Sequence, residues 1–110
     1  MTLDGYNCIH YTDSVIRSFG GGGTEDIFNG DNTKEARKLP RTIWKAAQRK
    51  LEHVDSAESL QDLAAVPGNR LEKLQGSRSE HHSIRINDQF RIVFRWEGEN
   101  AFEVRIEDYH

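Results

Sequence analysis

Ser83-Ile-Arg-Ile-Asn-Asp-Gln-Phe-Arg-Ile-Val-Phe-Arg-Trp96, continued by Glu97-Gly-Glu-Asn-Ala-Phe-Glu-Val-Arg-Ile106, decides the fold. Apolar residues recur here at every second position, the period of a strand with one face buried. Ile84 and Ile86 fall on one side and Arg85 on the other. Asn87-Asp88 is a tight-turn signal, and Phe90–Trp96 is the strongest strand of the chain, rich in β-branched and aromatic residues. Gly98-Glu-Asn100 turns the chain again, and Phe102, Val104 and Ile106 then alternate with Glu103 and Arg105. Strands joined by such short turns must be antiparallel neighbours.

Upstream, Leu71-Glu-Lys-Leu74 reads as a further strand, closed by Gly76 and preceded by the chain-breaking run Pro67-Gly68-Asn69. Before that the period lengthens. Ile43, Ala47, Leu51 and Val54 share one face of a helix expected from Pro40 to about Asp55, and a shorter helix is expected near Glu58–Leu63. Val15-Ile-Arg-Ser-Phe19 alternates like an edge strand. Gly20–Gly23 reads as a flexible turn, with Thr24 as the N-cap of a short helix around Ile27-Phe28. No Gly-Lys-Ser/Thr follows the glycines, so they do not form a phosphate loop. The expected architecture is α+β: an antiparallel sheet of about four to five strands with two to three helices on one face. Residues 1–14 show no period and read as an N-terminal extension, leaving 15–110 as the single domain.

Composition narrows the function classes. No apolar run approaches the ~20 residues of a membrane span, and the first residues lack the pattern of a secretory signal. Cys8 is the single cysteine, which excludes an internal disulfide framework and reads as a bystander thiol. The formal charge of −3 runs against a polyanionic partner, but its distribution is uneven. Lys34, Arg37, Lys38, Arg41, Lys45, Arg49 and Lys50 face only Glu35 between Thr33 and Lys50. That run is either a solvated helix face or an RNA-facing stripe.

The second sheet face is crowded with polar groups, which by themselves read either as a charged surface with a frayed C-terminal end or as a place for chemistry. Glu72, Lys73 and Arg91 lie on strands, Arg78 in a loop, and the chain ends on Asp108-Tyr109-His110. Cleavage of RNA by its own 2′-hydroxyl needs a base for that hydroxyl, a cation for the phosphorane and an acid for the 5′-oxygen. Histidine, arginine and tyrosine are suited to these tasks. His81 and His82 are adjacent on a strand, so they point to opposite faces and make a poor metal pair; His53 is expected exposed on the main helix, and no metal site is predicted. Trp44 and Trp96 read as packing residues beside Ile43 and Phe94.

Three motifs in order carry a resemblance: Arg70-Leu-Glu-Lys-Leu-Gln-Gly-Ser-Arg78, His82-Ser-Ile-Arg-Ile-Asn-Asp-Gln-Phe-Arg-Ile-Val-Phe-Arg-Trp96 and Glu107-Asp-Tyr-His110. Their order and spacing resemble HigB-type toxins of the RelE superfamily, and Val15–Phe19 resembles that family's opening, so residues 15–110 are covered. Because Val15 stands where the family has its initiator methionine, translation is expected to start there. The resemblance implies a RelE-like fold and a toxin of a type II toxin–antitoxin system. It also implies a cytoplasmic, ribosome-dependent mRNA endonuclease working without cofactor or metal. The implied partners are a HigA-type helix-turn-helix antitoxin, the 70S ribosome with its mRNA, and operator DNA through the antitoxin only. It further implies His110, Tyr109, Asp108, Arg91 and Glu72 as catalytic residues, with Lys73 and Arg78 on backbone phosphates. Glu72 departs from the pattern, because some family members carry a catalytic histidine there. A carboxylate can act as a base but is a poor acid at neutral pH. Two other readings share the fold: a ParE-like topoisomerase inhibitor, and a catalytically weak relative acting through antitoxin binding.

Overall fold

The computed structural model describes residues 14–76 and 80–108. Four strands, β1 (Glu72–Lys73), β2 (His81–Arg85), β3 (Phe90–Glu97) and β4 (Asn100–Asp108), form one antiparallel sheet in the order β1-β2-β3-β4. Helices α1 (Gly22–Asn29), α2 (Trp44–Ser56) and α3 (Leu60–Ala64) accompany it, with 3-10 turns at Ala36–Lys38 and Arg41–Ile43. The α+β meander expected from the sequence is the observed fold.

The core lies between the helices and one sheet face. Ile43, Ala47, Leu51 and Val54 are all buried, joined by Ile27 and Leu63 from the flanking helices. Ile84, Phe90, Ile92, Phe94, Ala101, Val104 and Ile106 supply the sheet side of the same cluster. The turn between β2 and β3 follows its sequence signal: Asn87 Oδ1 accepts the backbone N–H groups of Gln89 and Phe90, each at 2.8 Å.

Local expectations shift in several places. The main helix begins one 3-10 turn later than Pro40, which stands in extended conformation before Arg41–Ile43. Leu71–Leu74 shortens to the two-residue β1, since only Glu72 and Lys73 pair with Ser83 and His82. Val15–Phe19 forms isolated parallel bridges to β4, Ile16 with Ala101 and Phe19 with Val104. It is anchored from α2, where Asp55 Oδ1 accepts Ser14 Oγ at 2.8 Å, Val15 N at 3.1 Å and Ile16 N at 2.9 Å. The glycine run is partly helical, and Gly23 must lack a side chain because a Cβ there would lie 2.7 Å from the Glu35 carbonyl oxygen. Thr24 is not the N-cap, a place held by Gly21. It sits inside α1, buried, and its Oγ1 accepts the Ile106 N–H at 2.9 Å. His53 is half-buried rather than exposed, with Nδ1 enclosed.

β4 holds the largest departure. Arg95 pairs with Phe102 but Val93 with Arg105, so β4 carries one extra residue between these pairs. Glu103 takes φ 55°, a left-handed conformation that costs a non-glycine residue about 1–2 kcal/mol. The bulge reverses the expected face of Phe102: Ala101 enters the core instead, and Phe102 joins the opposite face beside Arg95.

Candidate active site

Alternation along β3 sends Phe90, Ile92 and Phe94 into the core and Arg91, Val93 and Arg95 to the other face. Register then fixes their neighbours. Arg91 lies opposite Arg85 on β2 and Glu107 on β4, and Val93 opposite Ser83 and Arg105, with Glu72 beyond Ser83 on β1. The site is therefore a polar face whose side chains are positioned by rigid strands.

Arg91 sits at its centre. Its side chain is only 11% exposed, whereas Glu72, at 51%, approaches from the rim with Oε1 3.4 Å from Arg91 Nη1. Arg91 Nη1 also donates to Ser83 Oγ at 3.4 Å, and Ser83 is fully buried. Two facing guanidiniums, Arg85 and Arg91, repel each other. The carboxylates of Asp88 on Arg85 and Glu72 on Arg91 offset that repulsion. Beyond them, Arg105 Nε binds Glu107 Oε2 at 2.7 Å. The cations are thus held at defined places, an arrangement of guanidiniums chemically suited to an anionic group such as a phosphate, with the Glu72 carboxylate at its rim.

Of the predicted site residues, the structure brings Glu72 and Arg91 together. Lys73 lies in register with His82 on the neighbouring parity. There burial, and then the nearby Lys73 and His81, hold the His82 imidazole below its ordinary range. Asp108 ends β4 opposite Phe90, and its Oδ2 accepts Gln89 Nε2 at 3.0 Å. Arg78, Tyr109 and His110 lie outside the described residues. The sequence reading missed Ser83, Arg85, Arg105 and Glu107. Alternation alone assigns most of these to a face, but only the strand register shows which of them surround Arg91. Among the described residues, no three His, Cys, Asp or Glu side chains converge as metal ligands, and no helix is long and apolar enough to cross a membrane.

Comparison with known proteins agrees with this architecture. A family model described as the RelE-like toxin of the type II toxin–antitoxin system HigB matches residues 17–110. Toxin HigB-1 of Vibrio cholerae is 42% identical over 66 residues, covering 60% of this chain and 70% of that protein. An uncharacterized protein of Haemophilus influenzae is 34% identical over 61 residues, covering 56% of this chain and 60% of its own length. The structure of a YoeB dimer from Staphylococcus aureus superposes with a TM-score of 0.53 at 18% identity, over 89% of this chain and 98% of that one, a likeness of fold. The helix-backed meander with an open polar face is thus a RelE-like toxin fold. The chain belongs to the HigB-like family, toxins of type II toxin–antitoxin systems, and an antitoxin partner follows from that membership.

Proposed function

We propose that this toxin arrests translation by cutting mRNA on the 70S ribosome through metal-independent acid–base chemistry. The observation that supports it most is the Glu72–Arg91 pair on the sheet face away from the helices, beside the strand that leads into Asp108-Tyr109-His110. In the proposed reaction Glu72 accepts the proton of the ribose 2′-hydroxyl, whose oxygen forms a bond to phosphorus. Arg91 stabilises the phosphorane charge with its fork of N–H donors. The bond from phosphorus to the 5′-oxygen then breaks, and His110 delivers a proton to the departing oxygen. Tyr109 stacks on a base or assists that transfer, Asp108 orients His110 or Arg91, and Lys73 and Arg78 hold backbone phosphates. A HigA-type helix-turn-helix antitoxin restrains the toxin and carries it to operator DNA, and the action is cytoplasmic, where ribosomes translate.

Primer extension on mRNA incubated with purified toxin tests the reading. Cuts are expected when the mRNA is bound to 70S ribosomes and not on naked mRNA. Growth arrest in cells without any cut on programmed ribosomes would overturn it in favour of a ParE-like target.

A further inference from the structure

A second cluster occupies the same open face. Arg95 follows Arg91 by four residues on β3, about 13 Å along the strand. In register it stands between His81 on β2 and Phe102 on β4. Its guanidinium carbon lies 4.8 Å from the centroid of the Phe102 ring. Glu103 ties the row together, with Oε1 3.5 Å from His81 Nε2 and 3.8 Å from Arg95 Nε. Glu97 binds Arg95 Nη1 as well.

The bulge in β4 creates this row. In a regular strand Phe102 and Glu103 would point to opposite faces. With Glu103 at φ 55° both serve the open face, while Ala101 and Val104 fill the core. An aromatic side chain is thereby withdrawn from the core cluster and set under a cation on a polar surface. Left-handed residues that are not glycine concentrate at functional sites, and bulges commonly re-aim side chains there. A guanidinium plane and an aromatic ring in one row suit a nucleobase, since every base has a π-face and both groups stack on it. The occupant that fits is single-stranded RNA already held at Arg91, because β3 carries both positions on one continuous face.

We infer that Arg95 and Phe102, flanked by His81, form a stacking subsite for a base that neighbours the scissile phosphate, with Glu103 fixing Arg95 and His81 in place. The inference rests on the RNA-cleaving reading and adds where the substrate strand runs: along β3, from Arg91 toward Arg95.

The test uses 70S ribosomes programmed with mRNA that carries 2-aminopurine beside the cut position. One form has an ordinary ribose at the cut; the other has a 2′-deoxy sugar that cannot be cleaved. Wild-type toxin is expected to change the 2-aminopurine fluorescence of the uncleavable form. Phe102→Leu and Arg95→Met are each expected to abolish that change and to raise the half-saturating toxin concentration for cleavage about tenfold, the scale of one lost stacking contact. Two variants that remove different members of the pair, checked for unchanged thermal melting, separate a subsite from a folding defect. If wild type cleaves and both folded variants match it in fluorescence and half-saturation, the subsite is overturned while the nuclease reading stands. If wild type changes the fluorescence, the variants do not, and nothing is cut, the nuclease reading fails, and Arg95 and Phe102 stand as an RNA base-stacking site without a scissile phosphate beside it. No fluorescence change with wild type overturns the subsite, whether or not the mRNA is cut.

Discussion

In the proposed reaction, Arg91 is the residue on which the chemistry turns. It is nearly enclosed by the sheet face, with Glu72 and Ser83 at one nitrogen. Truncation should therefore remove transition-state stabilisation without opening the core. Arg91→Ala is expected to lower the single-turnover cleavage rate by about 10²–10³-fold, and Arg91→Lys to recover only part, because an ammonium lacks the planar fork. His82 makes a different prediction. Its ring stacks on Phe94 at 6.2 Å, and burial lowers its proton affinity in the folded chain. The unfolded chain then binds more protons than the folded one between the lowered value and the ordinary 6.5. This histidine therefore costs stability as pH falls below 6.5, and the loss levels off once the folded form is protonated too. His82→Phe keeps the stacking and should flatten that part of the profile, measured as urea midpoints between pH 7.5 and pH 5. Glu72 and Arg91 were legible in the sequence because strand parity alone gives their face. Ser83 and Glu107 were not, since which residues border Arg91 depends on register across separate strands.

Among the elements, the strands and the main helix were legible from period and turn residues, and the bulge was not. Phe102-Glu-Val-Arg-Ile106 alternates without interruption, so the sequence offers no local sign of a slip. The cause is long-range. Val15–Gly20 runs along the free edge of β4, where Val15 and Ser18 carbonyls accept the Ala101 and Val104 N–H groups at 2.9 and 3.1 Å. Ser18 Oγ accepts the Glu103 N–H at 2.8 Å. These bonds satisfy the backbone of the bulged strand. Asn69 was likewise read only as a turn former, yet it is fully buried and joins three elements. Its Oδ1 accepts Lys50 Nζ of α2, its Nδ2 donates to the Leu63 carbonyl of α3 at 3.0 Å, and its own carbonyl accepts the Arg85 N–H of β2 at 2.6 Å. Removing the side-chain amide leaves a half-buried ammonium and a buried carbonyl without that partner. Asn69→Ala is therefore expected to cost about 2–3 kcal/mol in chemical denaturation. A loss under 1 kcal/mol would show that water replaces the amide freely.

For the whole molecule, the helices and one sheet face make the core, and the other sheet face carries the charged residues to which the proposed chemistry is assigned. The chain carries a net charge of −3, so a polyanion gains little from its overall field. An RNA strand would instead be held by local geometry: cations fixed by register on one sheet face, and a carboxylate at their rim. Composition could not reveal this, because the acids and bases of that face nearly cancel in any count. End-group analysis of the mRNA fragments cut on 70S ribosomes distinguishes the proposed chemistry from hydrolysis by water. Attack by the ribose hydroxyl predicts a cyclic 2′,3′-phosphate on the upstream fragment and a free 5′-hydroxyl on the downstream one, both vanishing with Arg91→Ala. A 5′-phosphate on the downstream fragment, or undiminished cutting by Arg91→Ala, would contradict it.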